Sequence, residues 1–263
     1  MKQVKIAIVG DSFLDKYCIG EVNRISPEAP VPILDVVKTE TRPGGALNVA
    51  KNLYGLGIEP VVFTIIDEEY IKDFKFPIRS PKDCVSLVKT RFNAFGQQLL
   101  RVDQPIAYRQ EDLERMEYPS FSEFDIIAFA DYDKGSITGG KATIIDTKKK
   151  DLSVFEGTQI LKINRKEYLE ATNVNFPQSF ITQSEAGINY YKDGVFKGNS
   201  PAETREVIDV SGAGDTVMAV IIYCLSIGLT NPQKIMELAN KAAGIVISRF
   251  GTSTITLEEL NHA

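Results

Sequence analysis

The stretch Asp209-Val210-Ser211-Gly212-Ala213-Gly214-Asp215-Thr216 leads directly into an apolar segment with helical character. Small residues at 211–214 allow the backbone to turn tightly and to present N–H groups at the start of the helix. That end of a helix carries the positive pole of the dipole and suits a developing phosphate charge. Asp215, in the first turn, can take a proton from a hydroxyl group. The alternative interpretation is an N-capped helix with a favourably placed carboxylate.

Two other segments combine glycine or aspartate with the start of a new element. In Arg42-Pro43-Gly44-Gly45-Ala46-Leu47-Asn48, a glycine pair opens a helix, and Asn48 can donate and accept hydrogen bonds to a polyol. Gly10-Asp11-Ser12-Phe13-Leu14-Asp15 follows the first strand, where ligands bind in open parallel sheets, so Asp11 and Asp15 can grip sugar hydroxyls. The first segment can also be a plain turn, and the second an Asx turn with a solvated aspartate.

Composition excludes several classes of protein. The chain has 263 residues, 30 Lys+Arg, 35 Asp+Glu, a net charge of −5, three cysteines and one histidine, His262. A single histidine cannot build a His-based triad or a His-rich metal site, and the scattered cysteines indicate neither a zinc ribbon nor a disulfide scaffold. Because basic blocks are absent, we expect no nucleic-acid partner. We also expect no signal peptide, no membrane span and a cytoplasmic location, and no Walker-type P-loop occurs.

Short apolar strands alternate with helical stretches, which is typical of an α/β fold with a largely parallel sheet. The predicted core strands are Lys5–Val9, Pro60–Ile65, Asp125–Ala130, Ala142–Asp146, Gln159–Ile163 and Ser179–Thr182. The predicted helices are Ala46–Tyr54, Arg165–Thr172, Ala213–Ile227 and Pro232–Arg249. Two extended stretches of mixed polarity, Val31–Thr39 and Ser86–Val102, predict a small antiparallel sheet that acts as a lid or a dimerisation surface. Ordinary edge strands are the alternative for both.

Taken together, these segments resemble the ribokinase-like (PfkB) family of sugar kinases. A more specific resemblance is to the heptose 7-phosphate kinase domain of bifunctional ADP-heptose synthases. It is carried by five strings: Arg24–Pro32, Arg42–Ala46, Gln97–Asp103, Asp131–Gly135 and Gly251–Thr254. The resemblance runs from Val4 to Leu260 and implies one kinase domain, residues 1–263, with a three-layer fold around a largely parallel sheet. It also implies a small β-sheet lid, with lid strands at about 12–40 and 85–104.

The resemblance implies ATP, Mg²⁺ and, in many relatives, a monovalent cation such as K⁺. It makes Asp215 the base that deprotonates the sugar hydroxyl, while Gly212, Ala213 and Gly214 supply amides to the transferring phosphoryl group. The residues expected to bind the sugar phosphate are Asp11, Asp15, Gly44, Gly45, Asn48, Gln98, Arg101 and Lys134. Those expected on the nucleotide side are Asn164, Thr182, Ser184, Glu185, Gly187 and Asn240. Glu167 is expected to hold Mg²⁺ through water, and Asp209, with Ser211, the monovalent cation.

A phosphorylated sugar also needs cations near its distal phosphate. The candidates are Lys134, Arg101, Arg91 and Arg24, and Lys134 ranks first because it follows a strand end directly. Each of them can instead be a solvated surface cation. The most specific substrate implied is D-glycero-D-manno-heptose 7-phosphate, giving the 1,7-bisphosphate, a precursor of ADP-heptose for lipopolysaccharide. The alternatives are a kinase for another sugar, phosphosugar or nucleoside, or a catalytically weak sugar-binding relative.

The resemblance further implies a homodimer through the lid and a separate nucleotidyltransferase, because one histidine cannot make that enzyme's HxGH motif. The chain also departs from the family pattern, and helices are trimmed. Only Asp67–Phe74 remains of a long family helix, and only Ser136–Lys141 precedes the next strand, so either a helix is missing there or those strands connect without one. Asp146-Thr147-Lys148-Lys149 replaces Asp-Pro-Lys-Gly, and Lys162-Ile163-Asn164 replaces Thr-Pro-Asn. On the nucleotide side, Gln183 replaces an arginine and removes one cation.

Overall fold

The computed structural model describes residues 4–203 and 206–262, in which strands and helices alternate. The strands are β1 (Ile6–Gly10), β2 (Ser12–Ile25), β3 (Pro32–Gly45), β4 (Val61–Phe63), β5 (Ile78–Arg79), β6 (Leu87–Ala94), β7 (Gln97–Gln104), β8 (Ile126–Asp131), β9 (Ile144–Thr147), β10 (Ile160–Asn164), β11 (Gln178–Thr182), β12 (Ile188–Lys192) and β13 (Val195–Ser200). The helices are α1 (Ala46–Gly55), α2 (Glu68–Ile71), α3 (Gln110–Glu114), α4 (Arg165–Glu170), α5 (Ala213–Ser226), α6 (Pro232–Ile247) and α7 (Leu257–His262). All six predicted core strands and all four predicted helices are confirmed to within a few residues.

The main sheet has nine strands in the order β13-β12-β11-β10-β9-β8-β1-β4-β5. Every neighbouring pair from β11 to β5 is parallel, whereas β12 and β13 add an antiparallel hairpin at one edge. The predicted largely parallel sheet is therefore confirmed. The carboxyl ends of β1, β8, β9 and β10 meet at one edge, where ligands bind in such sheets.

The two faces of the main sheet are covered differently. On one face, α1, α5 and α6 pack over an apolar core that includes Leu53, Ile221 and Met236. On the opposite face, the core around Phe129 and Phe155 is closed by the short helices α3 and α4 together with loops. The fold is thus three-layered, and the helices α3 and α4 of the second outer layer are short.

The connection between β8 and β9 lies on that second face, where Ile137 and Ala142 are part of its core. It runs from Tyr132 to Thr143 without a helix, although the two strands are parallel neighbours. Parallel strands are usually joined by a helical crossover. Of the two possibilities left open by the sequence, the structure has the direct connection, and this places a loop at the ligand-binding edge of the sheet.

A separate four-stranded sheet, in the order β3-β2-β6-β7, is made of the strands expected to form the lid, and its role as a lid stays a prediction. Its strands match the predicted lid ranges. The expectation of an antiparallel sheet is wrong for one pair, because β2 and β6 are parallel. Phe13 is paired with Leu87 at the base of the lid, so both strands start there and run outward in the same direction. The pairs β2–β3 and β6–β7 are antiparallel. Across the described ranges, the helices are all too short or too polar to cross a bilayer.

Candidate active site

Asp215 lies in the first turn of α5 and its side chain is buried, with 3% of the residue exposed. One carboxylate oxygen, Oδ2, accepts a hydrogen bond from Asn48 Nδ2 at 2.8 Å, and the other, Oδ1, accepts one from the Tyr132 hydroxyl. Burial raises the pKa of Asp215, and the hydrogen bonds from Tyr132 and Asn48 oppose that rise. The carboxylate is therefore a base of increased proton affinity at a helix N-terminus.

Gly212, the residue before α5, has φ +81°. A Cβ at this position would lie 2.6 Å from Asn48 Nδ2, so any larger residue would displace the amide that donates to Asp215. The backbone N–H groups of residues 213 and 214 belong to the first turn of the helix, where N–H groups have no intrahelical acceptor, and that of Ala213 donates to the Val210 carbonyl oxygen at 3.3 Å. The predicted amide nest and the base thus share one short segment.

Asn48 is positioned by the glycine pair and by a buried polar network. Gly45 has φ +64°, and a Cβ there would lie 2.1 Å from the Asp11 carbonyl oxygen, while a Cβ on Gly44 would collide with the Phe13 ring. Behind Asn48, Asn52 donates to the Asn48 carbonyl oxygen at 2.9 Å and accepts from the Ile255 N–H at 3.0 Å. Asn48 is 1% exposed, so it can turn toward Asp215 but not toward solvent.

Tyr132 was not singled out from the sequence, although it belongs to the quoted Asp131–Gly135 string. It follows β8 directly, and its ring contacts the edge of Phe13 at a centroid distance of 5.2 Å. The Lys148 ammonium lies 4.5 Å from the centre of the Tyr132 ring. Burial raises the pKa of Tyr132 well above its ordinary value, with the Asp215 charge acting in the same direction, so the hydroxyl stays protonated and donates.

Asp11 is fully buried, and its carboxylate holds the loop that contains Tyr132. It accepts hydrogen bonds from the backbone N–H groups of Tyr132 at 2.8 Å and Lys134 at 3.0 Å, and from the Ser136 hydroxyl at 2.5 Å. The interaction with Lys134 is made by its backbone, which places that residue in the same loop. Sugar binding by Asp11 and Lys134 stays a prediction, and in the structure Asp11 supports the β8–β9 connection.

Asp146 and Lys162 form an ion pair beside Asp215 that the sequence indicated only as departures from the family pattern. Lys162 Nζ lies 2.5 Å from Asp146 Oδ2, and the two side chains are 4% and 15% exposed. Burial raises the pKa of Asp146 to about 6, although the Lys162 charge opposes this. A Cβ on Gly214 would lie 3.0 Å from Lys162 Nζ, so the ammonium reaches the amide nest.

Asn164 and Glu167 form a capping box at the start of α4. Asn164 Oδ1 accepts from the Glu167 N–H, and Glu167 Oε2 accepts from the Asn164 N–H, both at 2.9 Å. The charge of Glu167 raises the pKa of Asp146, which indicates that the two carboxylates are neighbours. Among the described residues, no group of three or more histidine, cysteine, aspartate or glutamate side chains could hold a metal ion by itself. Mg²⁺ keeps several waters and binds one or two carboxylates plus substrate phosphates, so Glu167 fits the predicted role.

The predicted nucleotide-side residues lie at the β11 end of the sheet and on α6. Thr182 ends β11 and is half-buried, while Ser184 and Glu185 are exposed in the turn that follows. A Cβ on Gly187 would lie 2.0 Å from the Ser200 carbonyl oxygen, so glycine permits close packing there. Asn240 on α6 donates to that same oxygen at 2.7 Å. Their contact with nucleotide stays a prediction.

Cations on the lid surround Asp15. Asp15 is 2% exposed and accepts from Arg91 at 2.7 Å, and burial raises the pKa of Asp15 against the attraction of Arg91. Lys89, two residues before Arg91 on β6, was missed, although alternation along a strand places both on one face. Its ammonium lies 3.1 Å from the centre of the Phe13 ring, and burial lowers the pKa of Lys89 to about 8. Gln98 is exposed and accepts a 3.4 Å hydrogen bond from Arg91.

Of the remaining predicted residues, Arg101 and Arg24 lie farther from Asp15, and Asp209 accepts hydrogen bonds from backbone N–H groups. Arg101 pairs with Asp103 at 2.8 Å and is half-exposed, but its charge reaches Asp15 and Lys89. Arg24 lies at the opposite end of β2 from Phe13, 64% exposed and paired with Asp35, so the structure does not bring it to this group. Asp209 accepts from the N–H groups of residues 211 and 251 at 2.9 Å, and binding of a monovalent cation there stays a prediction.

Comparisons with known proteins agree with this geometry. Residues 139–260 match the pfkB family of carbohydrate kinases. The chain is 33% identical over 304 residues to the bifunctional protein HldE of Chromohalobacter salexigens, covering 99% of this chain and 63% of that protein. It is also 33% identical over 301 residues to the bifunctional protein HldE of Caulobacter sp. (strain K31), covering 97% and 62%. The chain therefore spans somewhat less than two thirds of the length of these relatives.

Solved structures share the fold at low sequence identity. Ribokinase from Thermotoga maritima superposes with a TM-score of 0.72 at 17% identity, over 98% of both chains. Phosphofructokinase-2 from Escherichia coli, in complex with potassium, gives a TM-score of 0.72 at 13% identity, over 98% of this chain and 97% of that one. Ribokinase from Arabidopsis thaliana, complexed with ribose and ATP, gives 0.70 at 14%, over 98% and 97%. At these identities the likeness is one of fold, and it confirms the expected ribokinase-like architecture.

Proposed function

We propose that the protein, whose residues 139–260 match the pfkB family of carbohydrate kinases, transfers the γ-phosphoryl group of ATP to a sugar phosphate. The observation that carries the proposal is the buried carboxylate of Asp215 beside the amide nest of Gly212–Gly214. Phosphoryl transfer depends on positioning and charge neutralisation, and this segment offers a base and an anion site together.

In the proposed reaction, the acceptor hydroxyl of the sugar donates to a free lone pair of the Asp215 carboxylate. Each oxygen accepts one hydrogen bond in the structure, and a carboxylate has about four lone-pair sites in all. The sugar oxygen forms a bond to the γ-phosphorus as the bond from that phosphorus to the bridging oxygen breaks. ADP leaves with that electron pair, and the sugar's proton passes to Asp215.

The developing negative charge on the transferred group would lie at the N-terminus of α5. The N–H groups of the first helical turn and the helix dipole stabilise an anion at such a position. When bound, Mg²⁺ neutralises charge on the ATP phosphates. Glu167 is the residue that would hold it, with waters and ATP oxygens completing the shell.

We propose D-glycero-D-manno-heptose 7-phosphate as the acceptor, with the 1,7-bisphosphate as product. Two features support a phosphorylated sugar: the relatives named HldE, and the cations Lys89, Arg91 and Arg101 around Asp15 on the lid. The paired Asp15 can accept hydrogen bonds from sugar hydroxyls while the cations bind the distal phosphate. A nucleotidyltransferase would then be needed to activate the phosphorylated heptose, as the bifunctional names of the relatives suggest.

The test is a panel of acceptors with ATP and Mg²⁺, with ADP release and the phosphorus NMR spectrum of the product as readouts. We expect turnover of heptose 7-phosphate, weak turnover of heptose without its phosphate, and loss of about 10²–10⁴-fold in kcat in Asp215→Asn. Equal turnover of the two heptoses would contradict the assignment of a distal phosphate. Full activity of Asp215→Asn would contradict the assignment of the base.

A further inference from the structure

Lys162 is a buried cation in a strand whose other buried residues are apolar. It occupies the middle of β10, whose sequence is Ile-Leu-Lys-Ile-Asn, and only 3% of the residue is exposed. The hydrogen bond that its ammonium makes in the structure is to Asp146, and an ammonium group has three donors. Donors of this group are therefore available for a ligand.

A stabilising role alone accounts poorly for this pair. Taking two charges out of water carries a desolvation cost that their attraction often fails to offset, and apolar residues of similar volume are often as stable. Ile160, two residues earlier on the same face of β10, and Phe180, paired with Lys162 on β11, are both buried and show that this face of the sheet accepts apolar side chains. A buried ion pair at this position is thus better explained by a use for its charge.

The position of the ammonium supplies that use. A Cβ built on Gly214 would lie 3.0 Å from Lys162 Nζ, so the ammonium lies against the backbone of the amide nest. The positive charge of Lys162 also acts on Asp215, where it lowers the pKa of the carboxylate. Lys162 therefore lies near both the amide nest and Asp215, and its ion pair with Asp146 fixes the position of the ammonium.

We propose that Lys162 is a catalytic residue whose ammonium contacts the transferring phosphoryl group, with Asp146 as the residue that positions it. This inference rests on the proposed function of the same site. As the γ-phosphoryl group leaves the bridging oxygen of ADP and bonds to the sugar oxygen, Lys162 donates to a peripheral phosphoryl oxygen and keeps its proton throughout. It supplies a fixed positive charge where the nest supplies neutral amide donors.

The test compares nucleotides that contain or lack the third phosphate. The variants are Lys162→Met and the double variant Lys162→Met with Asp146→Asn, which removes both charges and avoids leaving Asp146 buried without a partner. The matched control is Lys149→Met, since Lys149 also pairs with aspartate at a strand end but lies on the Asp131–Asp133 side of the loop. Affinities for ADP and for the non-hydrolysable analogue AMP-PNP are measured by calorimetry, and kcat and KM by ADP release.

For both Lys162 variants we expect unchanged ADP affinity and a loss of about 10- to 100-fold in AMP-PNP affinity, as for one charge-assisted hydrogen bond. We expect kcat to fall by about 10²–10³-fold with the KM of the sugar unchanged. If the ratio of AMP-PNP to ADP affinity is the same as in the wild type, the inference is wrong. The two proposals fail on different results. A wild type that transfers no phosphoryl group refutes the proposed function, whereas the contact made by Lys162 is decided by the ratio of AMP-PNP to ADP affinity.

Discussion

Replacing Tyr132 with phenylalanine tests whether its hydroxyl tunes the base. The substitution removes the donor to Asp215 Oδ1 and leaves the ring in place between Phe13 and Lys148. Burial already raises the pKa of Asp215, and the Tyr132 hydrogen bond is the largest of the effects that oppose this. Because only the charged carboxylate gains from that donor, its loss should raise the pKa of Asp215 further.

The size of the shift follows from the strength of the hydrogen bond. A hydrogen bond to a charged group contributes about 1.5–3 kcal/mol, and one pKa unit corresponds to about 1.4 kcal/mol. We therefore expect the pKa of Asp215 to rise by about one to two units in Tyr132→Phe. A base must be ionised to accept a proton, so activity that is lost on acidification should be lost at a correspondingly higher pH.

The assay is the pH dependence of kcat/KM for the sugar phosphate, which reports the pKa values of the free enzyme. Tyr190→Phe is the matched control, because the Tyr190 hydroxyl donates to Gln178 at 3.0 Å on the hairpin edge of the sheet. The shift should persist when Asp146 is also replaced by asparagine, which excludes the neighbouring carboxyl as its source. An acidic limb that superposes on that of the wild type would refute the reasoning.

Three further predictions concern the glycine pair, the lid cations and the lid surface. Gly45→Ala should lower the free energy of unfolding by about 3 kcal/mol or more in urea titrations, because the substitution combines a positive φ with a backbone clash. The control is Gly57→Ala, where φ is positive but the space is open, and which should lower that free energy by only about 1 kcal/mol. Lys89→Met should raise the KM of heptose 7-phosphate by about 10- to 100-fold and leave that of heptose unchanged, with Lys38→Met as control. Since burial lowers the pKa of Lys89 to about 8, the KM of the wild type should also rise above that pH, and a KM constant through this range would contradict the assignment. Val37→Glu, at an apolar lid position that is 76% exposed, should convert the proposed lid-mediated dimer to a monomer in analytical ultracentrifugation, and a wild type that sediments as a monomer would contradict the dimer.

Local sequence patterns predicted the core strands and the long helices of this fold, because each of these patterns depends only on residues that are close together in the sequence. Apolar runs predicted the core strands, and small residues before an apolar run predicted the start of α5. The hairpin of β12 and β13 was missed, although its turn, Asp193-Gly194, is a typical type I′ sequence and both residues have positive φ. That element was predictable in principle.

The contacts that make the site were not predictable in the same way. Asn48 and Tyr132 reach the same carboxylate from 167 and 83 residues away, and only the order of strands in the sheet brings them together. Lys162 occupies a position that strand periodicity assigns to the core, and its charge is tolerated only because Asp146, on the neighbouring strand, faces it. A pattern along one segment carries no information about the partner across the sheet.

The two faces of the main sheet supply the candidate site in different ways. Asp215 and Asn48 come from α5 and α1, which pack together on the face with the long helices. The opposite face contributes Tyr132, from a connection without a helix, and the loop there needs another support. Asp11 supplies it, since a fully buried carboxylate that accepts hydrogen bonds from several groups of one loop fixes that loop against β1. Removing the Asp11 carboxylate should therefore release Tyr132, and with it the donor to Asp215, without any contact between Asp11 and the base.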